Sequence, residues 1–355
     1  MKKQRLTDLE RPQSTDRRVL VVGAGLSGAV VARELADLGY GVDVIELRDH
    51  VGGNCFDFID ENGIRVHRYG PHIFHTNNKR VFDWLSRYTE WIDYEHKVLA
   101  ELPCGRRVPF PPNNTTLQSV DEADLIDIFY APYTEKMWGR PIAEVNPRIL
   151  SRVPVRQDGE DRYFPRDVYQ KLPKAGYTSM ITNILEHPNI RVSLSTGYER
   201  NLESQYQHIF NSMPIDEYFN YELGELPYRS IKFHSWTAPF ASSSPVPVIN
   251  LTTHEKFTRI TEWVKFPGNE KASSNSTFTI EEPCDYSENN GARYYPVADI
   301  DGKNRALYDQ YASLVPKNVT FIGRCGLYVY IDMDQAVSNS LAAARRYSQA
   351  ERAAA

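Results

Sequence analysis

An α/β fold is predicted, built on a discontinuous Rossmann-like domain with an inserted helical lobe and an antiparallel β-sheet lobe. Three observations predict it. A β-branched run, Arg18 to Val22, enters Gly23-x-Gly25-x-x-Gly28 and leaves as the helical stripe Val30, Val31, Leu35, Leu38. A long extended and aromatic stretch covers Ile231 to Thr279. Near the end another apolar strand, Val319-Thr-Phe-Ile, runs into Gly323 and then a helix. With 355 residues the chain exceeds the roughly 250–300 that one core supports, so more than one lobe is expected.

Each part of the first unit has a physical task. Gly23 permits the tight turn, Gly25 lets backbone approach a pyrophosphate, and Gly28 lets helix and strand pack closely. The helix N-terminus then offers free N–H groups to phosphate. A second strand, Gly41 to Ile45, ends at Glu46, which can accept the hydroxyls of an adenosine ribose. NAD and FAD share this unit. The second glycine pair, Gly52 and Gly53 after Glu46, is similar to FAD-binding flavoenzymes of the glutathione-reductase and amine-oxidase type, so FAD is the expected cofactor, with Asn54 beside it.

Further along, Glu61-Asn62-Gly63 reads as a hairpin turn. Asn78 to Ile92 and Asp121 to Trp138 carry helical spacing, and Lys97–Leu102 and Arg107–Phe110 read as strands. Gly176 to Glu186 reads as a helix, followed by short strands at Ile190–Leu194 and His208–Ser212, and a last helix is expected from about Met333 to Gln349. The expected domains are a polar tail at 1–16 and a cofactor domain at 17–78, 174–220 and 316–350. The helical lobe takes 79–92 and 118–150, and the sheet lobe 93–117, 151–173 and 221–315.

Composition excludes several classes. A net charge of −5 gives no footprint for nucleic acid or anionic lipid. No apolar run is long enough to span a membrane, and the basic N-terminus precedes no signal-type apolar core. Cys55, Cys104, Cys284 and Cys325 form no CxxC pair, so no metal is expected and a cytoplasmic location is. The excess of 22 Tyr over 15 Phe fits a large polar cleft or a tyrosine-rich surface.

Six motifs in order carry a more specific signal: Gly70-Pro-His-Ile-Phe-His-Thr76, Pro132-Tyr-Thr-Glu-Lys-Met-Trp-Gly139, Leu172-Pro-Lys-Ala-Gly-Tyr-Thr178, Thr258-Arg-Ile-Thr-Glu262, Tyr294-Tyr-Pro296 and Gly323-Arg-Cys-Gly-Leu-Tyr-Val-Tyr-Ile-Asp-Met-Asp334. Together they resemble the prokaryotic UDP-galactopyranose mutases. The resemblance implies an isomerase that interconverts the pyranose and furanose forms of a nucleotide-diphosphate sugar, UDP-galactose or a related one. It implies reduced FAD as the active form, acting through an adduct between flavin N5 and the sugar, hence an external reductant. It also implies a role in cell-surface polysaccharide synthesis, with a homodimer left open.

Site roles follow from the same resemblance. His72 and His75 lie beside the flavin, with Met333 also at the cofactor. Arg152 and Arg259 hold the diphosphate. Tyr133 stacks on uracil, Trp138 belongs to a mobile loop, and Tyr130 lies in the same substrate wall. Tyr163, Tyr295 and Tyr330 match phosphate- and sugar-side tyrosines, Arg324 and Asp332 lie near flavin and sugar, and His96 and Glu282 lie near the substrate. His75, Arg152, Arg259, Arg324 and Asp332 are the expected catalytic set. Asp285 and Val329 stand where the family pattern has basic residues. These departures leave sugar and nucleotide open and predict UDP-galactose to be a poorer substrate than a relative. Two other classes share the cofactor fold: an amine-oxidase-type oxidase or dehydrogenase, and a nucleotide-sugar sensor. An amine-oxidase substrate tunnel has no need of the paired arginines and a uracil-stacking Tyr133, and a sensor would neither turn over with reduced FAD nor consume oxygen.

Overall fold

β1 (Arg18–Val22) and β2 (Gly41–Ile45) are mostly Val, Leu and Ile because both faces of their sheet are covered, and the one acid within them, Asp43, is paired with Arg191 and Tyr206. α1 (Leu26–Asp37) returns the chain between them and buries Val30, Val31 and Leu35. The computed structural model describes residues 17–145, 154–253, 255–269 and 274–354. The expected tail at 1–16 and Arg152 lie outside the described residues.

β10 (Ile190–Ser193) adds beyond β2, while β11 (His208–Asn211) and β17 (Val319–Phe321) add beyond β1. The result is a five-stranded parallel sheet of order β10-β2-β1-β11-β17. Strand order reverses between β1 and β11, the switch point where such sheets bind dinucleotides. The final helix, here α6 (Met333–Ala354), packs on α1, so the last segment of the chain completes a layer begun by the first.

The seven-stranded sheet is mostly antiparallel. Its order is β16 (Tyr295–Pro296), β12 (Tyr228–Ala238), β15 (Ser276–Asp285), β14 (Arg259–Glu262), β13 (Val248–Leu251), β7 (Val98–Glu101) and β8 (Arg107–Phe110). One pair, β13 with β7, runs parallel. Only a hairpin forces antiparallel pairing, and these two strands are joined by a long excursion instead. Asp57–Ile59 (β3) and Arg65–His67 (β4) form the expected hairpin.

Two helical expectations are corrected. Over 78–92 only α2 (Lys79–Leu85) is helical, with Asn78 as its cap. Trp91–Asp93 is instead β6, which pairs with β9 (Tyr169–Pro173), itself paired with β5 (Phe74–Thr76). Trp91 stacks on Phe74 with ring centroids 5.1 Å apart, a partner no local pattern reveals. This three-stranded sheet joins segments that the sequence divides among different lobes. Over 121–138 the chain forms a 3₁₀ turn, then a π-helical turn at Ile126–Tyr130, then α3 (Ala131–Trp138). Pro132 has no N–H to give to the preceding turn, and the helix widens just before it. α3 stops at Gly139, whose φ of 66° is left-handed. α4 (Tyr177–Leu185) and α5 (Lys303–Leu314) cover the remaining apolar faces, Tyr308 and Tyr311 of α5 packing with Ile209 and Phe321.

Candidate active site

The cofactor end is built by close backbone approach. Gly23 has φ +102°, and a Cβ on Gly28 would lie 1.9 Å from the Gly23 carbonyl oxygen. Gly25 and Gly52 pair as an isolated parallel bridge, which brings the second glycine pair against the first. Buried Glu46, just after β2, accepts from the N–H of Ala24 at 2.8 Å and of Arg48 at 2.9 Å.

Arg48, which sequence reasoning missed, donates Nη2 to Asn54 at 3.0 Å and lies 4.6 Å over the Tyr69 ring. Its Nη1 is buried with no partner. A part-buried cation with one buried, unused N–H group beside a glycine turn is costly unless an anion meets it, and a pyrophosphate supplies one. The residues present therefore fit FAD. Met333, whose Sδ lies 3.8 Å from Cys55 Sγ, carries this end into the adjoining cleft.

That cleft encloses about 1290 Å³, including its open mouth. α3 and the turn before it contribute Tyr130, Tyr133 and Trp138 to one wall. The mixed sheet contributes Arg259 from β14, Tyr295 from β16 and His96 from the approach to β7. His72 and His75 come from around β5, and Tyr163 from the chain leading to β9. The connection from β17 to α6 adds Arg324, Tyr330, Asp332 and Met333. Segments far apart in sequence thus meet at one cavity.

Aromatic rings organise the end of the cleft at Tyr295 and Tyr330. Tyr295 and Tyr330 lie 5.3 Å apart, Trp138 packs edge-on against both, and the Arg324 guanidinium sits 5.1 Å and 5.3 Å from the two tyrosine rings. Arg324 is pinned there by donating to the Ile331 carbonyl at 2.7 Å.

Arg259 is the charged centre of the opposite side. Its Nε lies 2.7 Å from Glu281 Oε1, whose side chain is only 2 % exposed. The two are close but poorly aligned, and neither atom has a hydrogen-bond partner. Burial opposes the charge, yet Glu281 and Tyr133 beside it raise the guanidinium pKa. Glu282, the expected substrate residue, is a correction. Its carboxylate bonds His234 at 2.8 Å and Lys256 at 2.9 Å, and it does not line the cleft. Side chains alternate along β15, so Glu281 faces Arg259 and Glu282 the other side.

Both His72 and His96 are uncharged near neutral pH. Burial, followed by His67 and the cationic arginines, lowers His72 to about 3, and burial followed by Arg259 lowers His96 to about 3. His72 Nδ1 meets the Gly70 carbonyl at 2.9 Å, which can only accept, so Nδ1 carries the proton and Nε2 is an acceptor.

His75 is held differently. Its Nδ1 lies 2.6 Å from Asp167 Oδ2, and its ring stacks on Phe164 at 3.6 Å. Asn77 occupies the other Asp167 oxygen at 2.8 Å. Asp167 was not legible in the sequence, because only the pairing of β5 with β9 brings it to His75. Asp167→Asn is expected to lower turnover by roughly fivefold to tenfold while leaving nucleotide affinity unchanged, since one charge-assisted hydrogen bond is weakened away from the phosphates. Parallel calorimetry and steady-state kinetics check this.

The two departures from the motif pattern have a structural explanation in one case. Asp285 caps the turn at Tyr286–Asn289, accepting from Ser287 N at 2.9 Å and Oγ at 2.6 Å. Neither Asp285 nor Val329 lines the cleft. The departures at these two positions therefore do not change the charge of the cleft lining.

A parallel dinucleotide-type sheet, a glycine cradle beside a cation with one buried, unmatched N–H, and an adjoining cationic, tyrosine-rich cleft together fit a flavoprotein with an anionic substrate. The chain belongs to the UDP-galactopyranose mutase family, whose model matches residues 128–330, while a model for an NAD(P)-binding Rossmann-like domain matches residues 21–88. A probable UDP-galactopyranose mutase of Klebsiella pneumoniae is 33% identical over 94% of this chain and 95% of its own. A dTDP-fucopyranose mutase of Escherichia coli is 32% identical, covering 93% and 98%. A crystal structure of reduced UDP-galactopyranose mutase shares the fold with TM-score 0.73 at 17% identity, over 94% of this chain and 96% of that one. Fold, family and cradle identify the cofactor as FAD. Among the described residues no helix is long and apolar enough to cross a membrane.

Proposed function

We propose that this chain is a flavin-dependent mutase that interconverts the pyranose and furanose forms of a nucleotide-diphosphate sugar. The observation that carries the reading is Arg259, held over buried Glu281 between Tyr133 and the Arg324–Tyr295–Tyr330 cluster, beside the cofactor end. Bound and reduced, FAD supplies an electron pair for covalent catalysis at a sugar carbon. Arg259, with Arg152, binds the diphosphate and meets the charge that grows as it leaves. Tyr133 stacks on the base, with Tyr130 alongside, and Trp138 closes the wall behind it. Tyr163, Tyr295 and Tyr330 donate hydroxyls to phosphate and sugar, Asp332 accepts from sugar hydroxyls, and neutral His72 and His96 exchange hydrogen bonds without adding charge. Arg324 and His75 act at the sugar and cofactor side.

UDP-galactose and a dTDP-linked deoxyhexose are the two substrate candidates, the second from the name of the Escherichia coli relative. Asp285 gives no argument against UDP-galactose, because it caps a turn. A cytoplasmic enzyme fits the four unpaired cysteines, and an external reductant is required.

The test incubates dithionite-reduced protein with both nucleotide sugars and resolves pyranose from furanose by chromatography. Furanose product is expected, with no acceptor consumed and activity lost on aerobic reoxidation. Equal turnover by oxidised protein, or oxygen uptake in step with substrate, overturns the reading.

A further inference from the structure

Lys136 lies on α3 between Tyr133 and Trp138, yet it does not line the cleft. Its ammonium donates to three backbone carbonyls, those of Leu251 at 2.7 Å, Thr253 at 2.9 Å and Phe257 at 2.8 Å. An ammonium has three N–H groups, and all three are used. The acceptors belong to the chain that leaves β13 and enters β14, and Phe257 lies two residues before Arg259. Three converging carbonyls cost free energy unless a donor meets them, so the backbone at Leu251, Thr253 and Phe257 depends on the amine for its placement.

The other end of the same helix turn is held from the opposite direction. Arg229 of β12 donates Nε to the Met137 carbonyl at 2.8 Å and Nη2 to the Lys136 carbonyl at 3.1 Å. A lone cation near a helix C-terminus is ordinary, because it answers the helix dipole. Lys136 does something else: it reaches across to another element and orders that element's backbone.

We propose that Lys136 is a positioning residue that fixes the separation between Tyr133 and Arg259, and so sets nucleotide affinity without touching the nucleotide. The inference rests on the mutase reading for the identity of the ligand. Two rigid contacts, one aromatic on α3 and one cationic on β14, must be spaced to fit a nucleoside diphosphate. This amine ties α3 directly to the backbone that leaves β13 and leads toward β14.

Protonation matters to it. Burial lowers the Lys136 pKa to about 8, with Glu255 on the same connection opposing the shift. Arg229 is the other charged group at this end of α3, and it faces carbonyls rather than the amine. Below pH 8 the ammonium serves all three carbonyls. As pH rises through 8 the neutral amine keeps two N–H groups and turns a lone pair toward the third carbonyl, so the tie weakens. A diphosphate keeps constant charge over the same range, since its last ionisation lies near 6.

The experiment measures binding of free UDP and free dTDP to oxidised, FAD-loaded wild type, Lys136→Met and Lys136→Arg by calorimetry at pH 7 and pH 9. Thermal midpoint, FAD content and reduced steady-state kinetics are recorded for each. Lys136→Met is expected to weaken nucleotide about tenfold at pH 7, raise KM far more than it lowers kcat, keep its FAD, and abolish the decline that wild type shows between pH 7 and pH 9. Lys136→Arg, charged at both pH values, is expected to keep most of the affinity at both. Binding by Lys136→Met equal to wild type with an unchanged pH profile overturns the inference. So does a loss of FAD and turnover in proportion to affinity in both variants, which is general damage. Wild type that binds neither nucleotide overturns the mutase reading and this inference with it.

Discussion

Replacing Arg259 by Ala is expected to lower saturated turnover by roughly tenfold to a hundredfold or more under reducing conditions, as each 1.36 kcal/mol is tenfold. On the proposed reading a diphosphate that is leaving gains charge where this cation points, which makes the interaction stronger in the transition state than in the bound substrate. If it were equal in both, nucleotide affinity would fall and turnover would not. The structure adds a second consequence. Glu281 is 2 % exposed and would be left as an unpaired buried carboxylate, a change that costs about 3–5 kcal/mol in comparable sites. Arg259→Ala is therefore expected to lower the thermal midpoint as well, and Glu281→Gln in the same chain to restore stability without restoring turnover. Pairing diphosphate affinity with turnover and melting for both variants separates the two effects. Full activity in Arg259→Ala would leave this arginine a packing role.

A comparable loss is expected from Gly28→Ala, by a different route. Its Cβ would lie 1.9 Å from the Gly23 carbonyl oxygen and 3.1 Å from Val21 Cγ1, both on the rigid turn and strand. Nothing flexible can give way, so α1 must shift off β1. Overpacking of this kind costs about 1–3 kcal/mol or more, and here it also opens the cradle. Little FAD and a lowered melting point are expected. Gly25→Ala is the contrast: its Cβ meets only Gly53 Cα, at 3.6 Å, which is ordinary contact. That variant is expected to fold as apoprotein with an unchanged midpoint and still lose FAD, because the crowding would be against the cofactor. Absorbance ratio of flavin to protein, with melting of the apo forms, distinguishes them. A Gly28→Ala protein that retains full FAD would refute the cradle geometry.

The glycine turn, β1, α1 and β2 were legible because each is set by neighbours within a few residues. The tyrosine–arginine cluster of the cleft was not legible in that sense. Tyr295, Tyr330 and Arg324 come together through the mixed sheet and the β17–α6 connection, and only motif resemblance assigned them in advance. Glu282 shows the limit of such assignment: a shift of one position in a strand exchanges the two faces, and Glu281 is the residue that meets Arg259. Asp167 and Arg48 were missed for related reasons. Asp167 reaches His75 through pairing of distant strands, and Arg48 looked like one more polar residue after Glu46 until its unmatched Nη1 was seen. Trp91–Asp93 has helical spacing when read alone, yet a strand partner far along the chain decides its conformation.

The arrangement of β17 and α6 has a consequence for how the protein is made. A ribosome emits the chain from the N-terminus, so the glycine turn and α1 are complete long before β17 and α6 appear. Through most of synthesis α1 lacks the helix that packs against it, and β11 lacks its outer neighbour. The nucleotide-binding half-site is thus born early and finished only after β17 and α6 have been made. Flavin capture is therefore expected to follow synthesis of β17 and α6, and a ribosome that stalls before about residue 319 leaves the apolar face of α1 without its α6 cover.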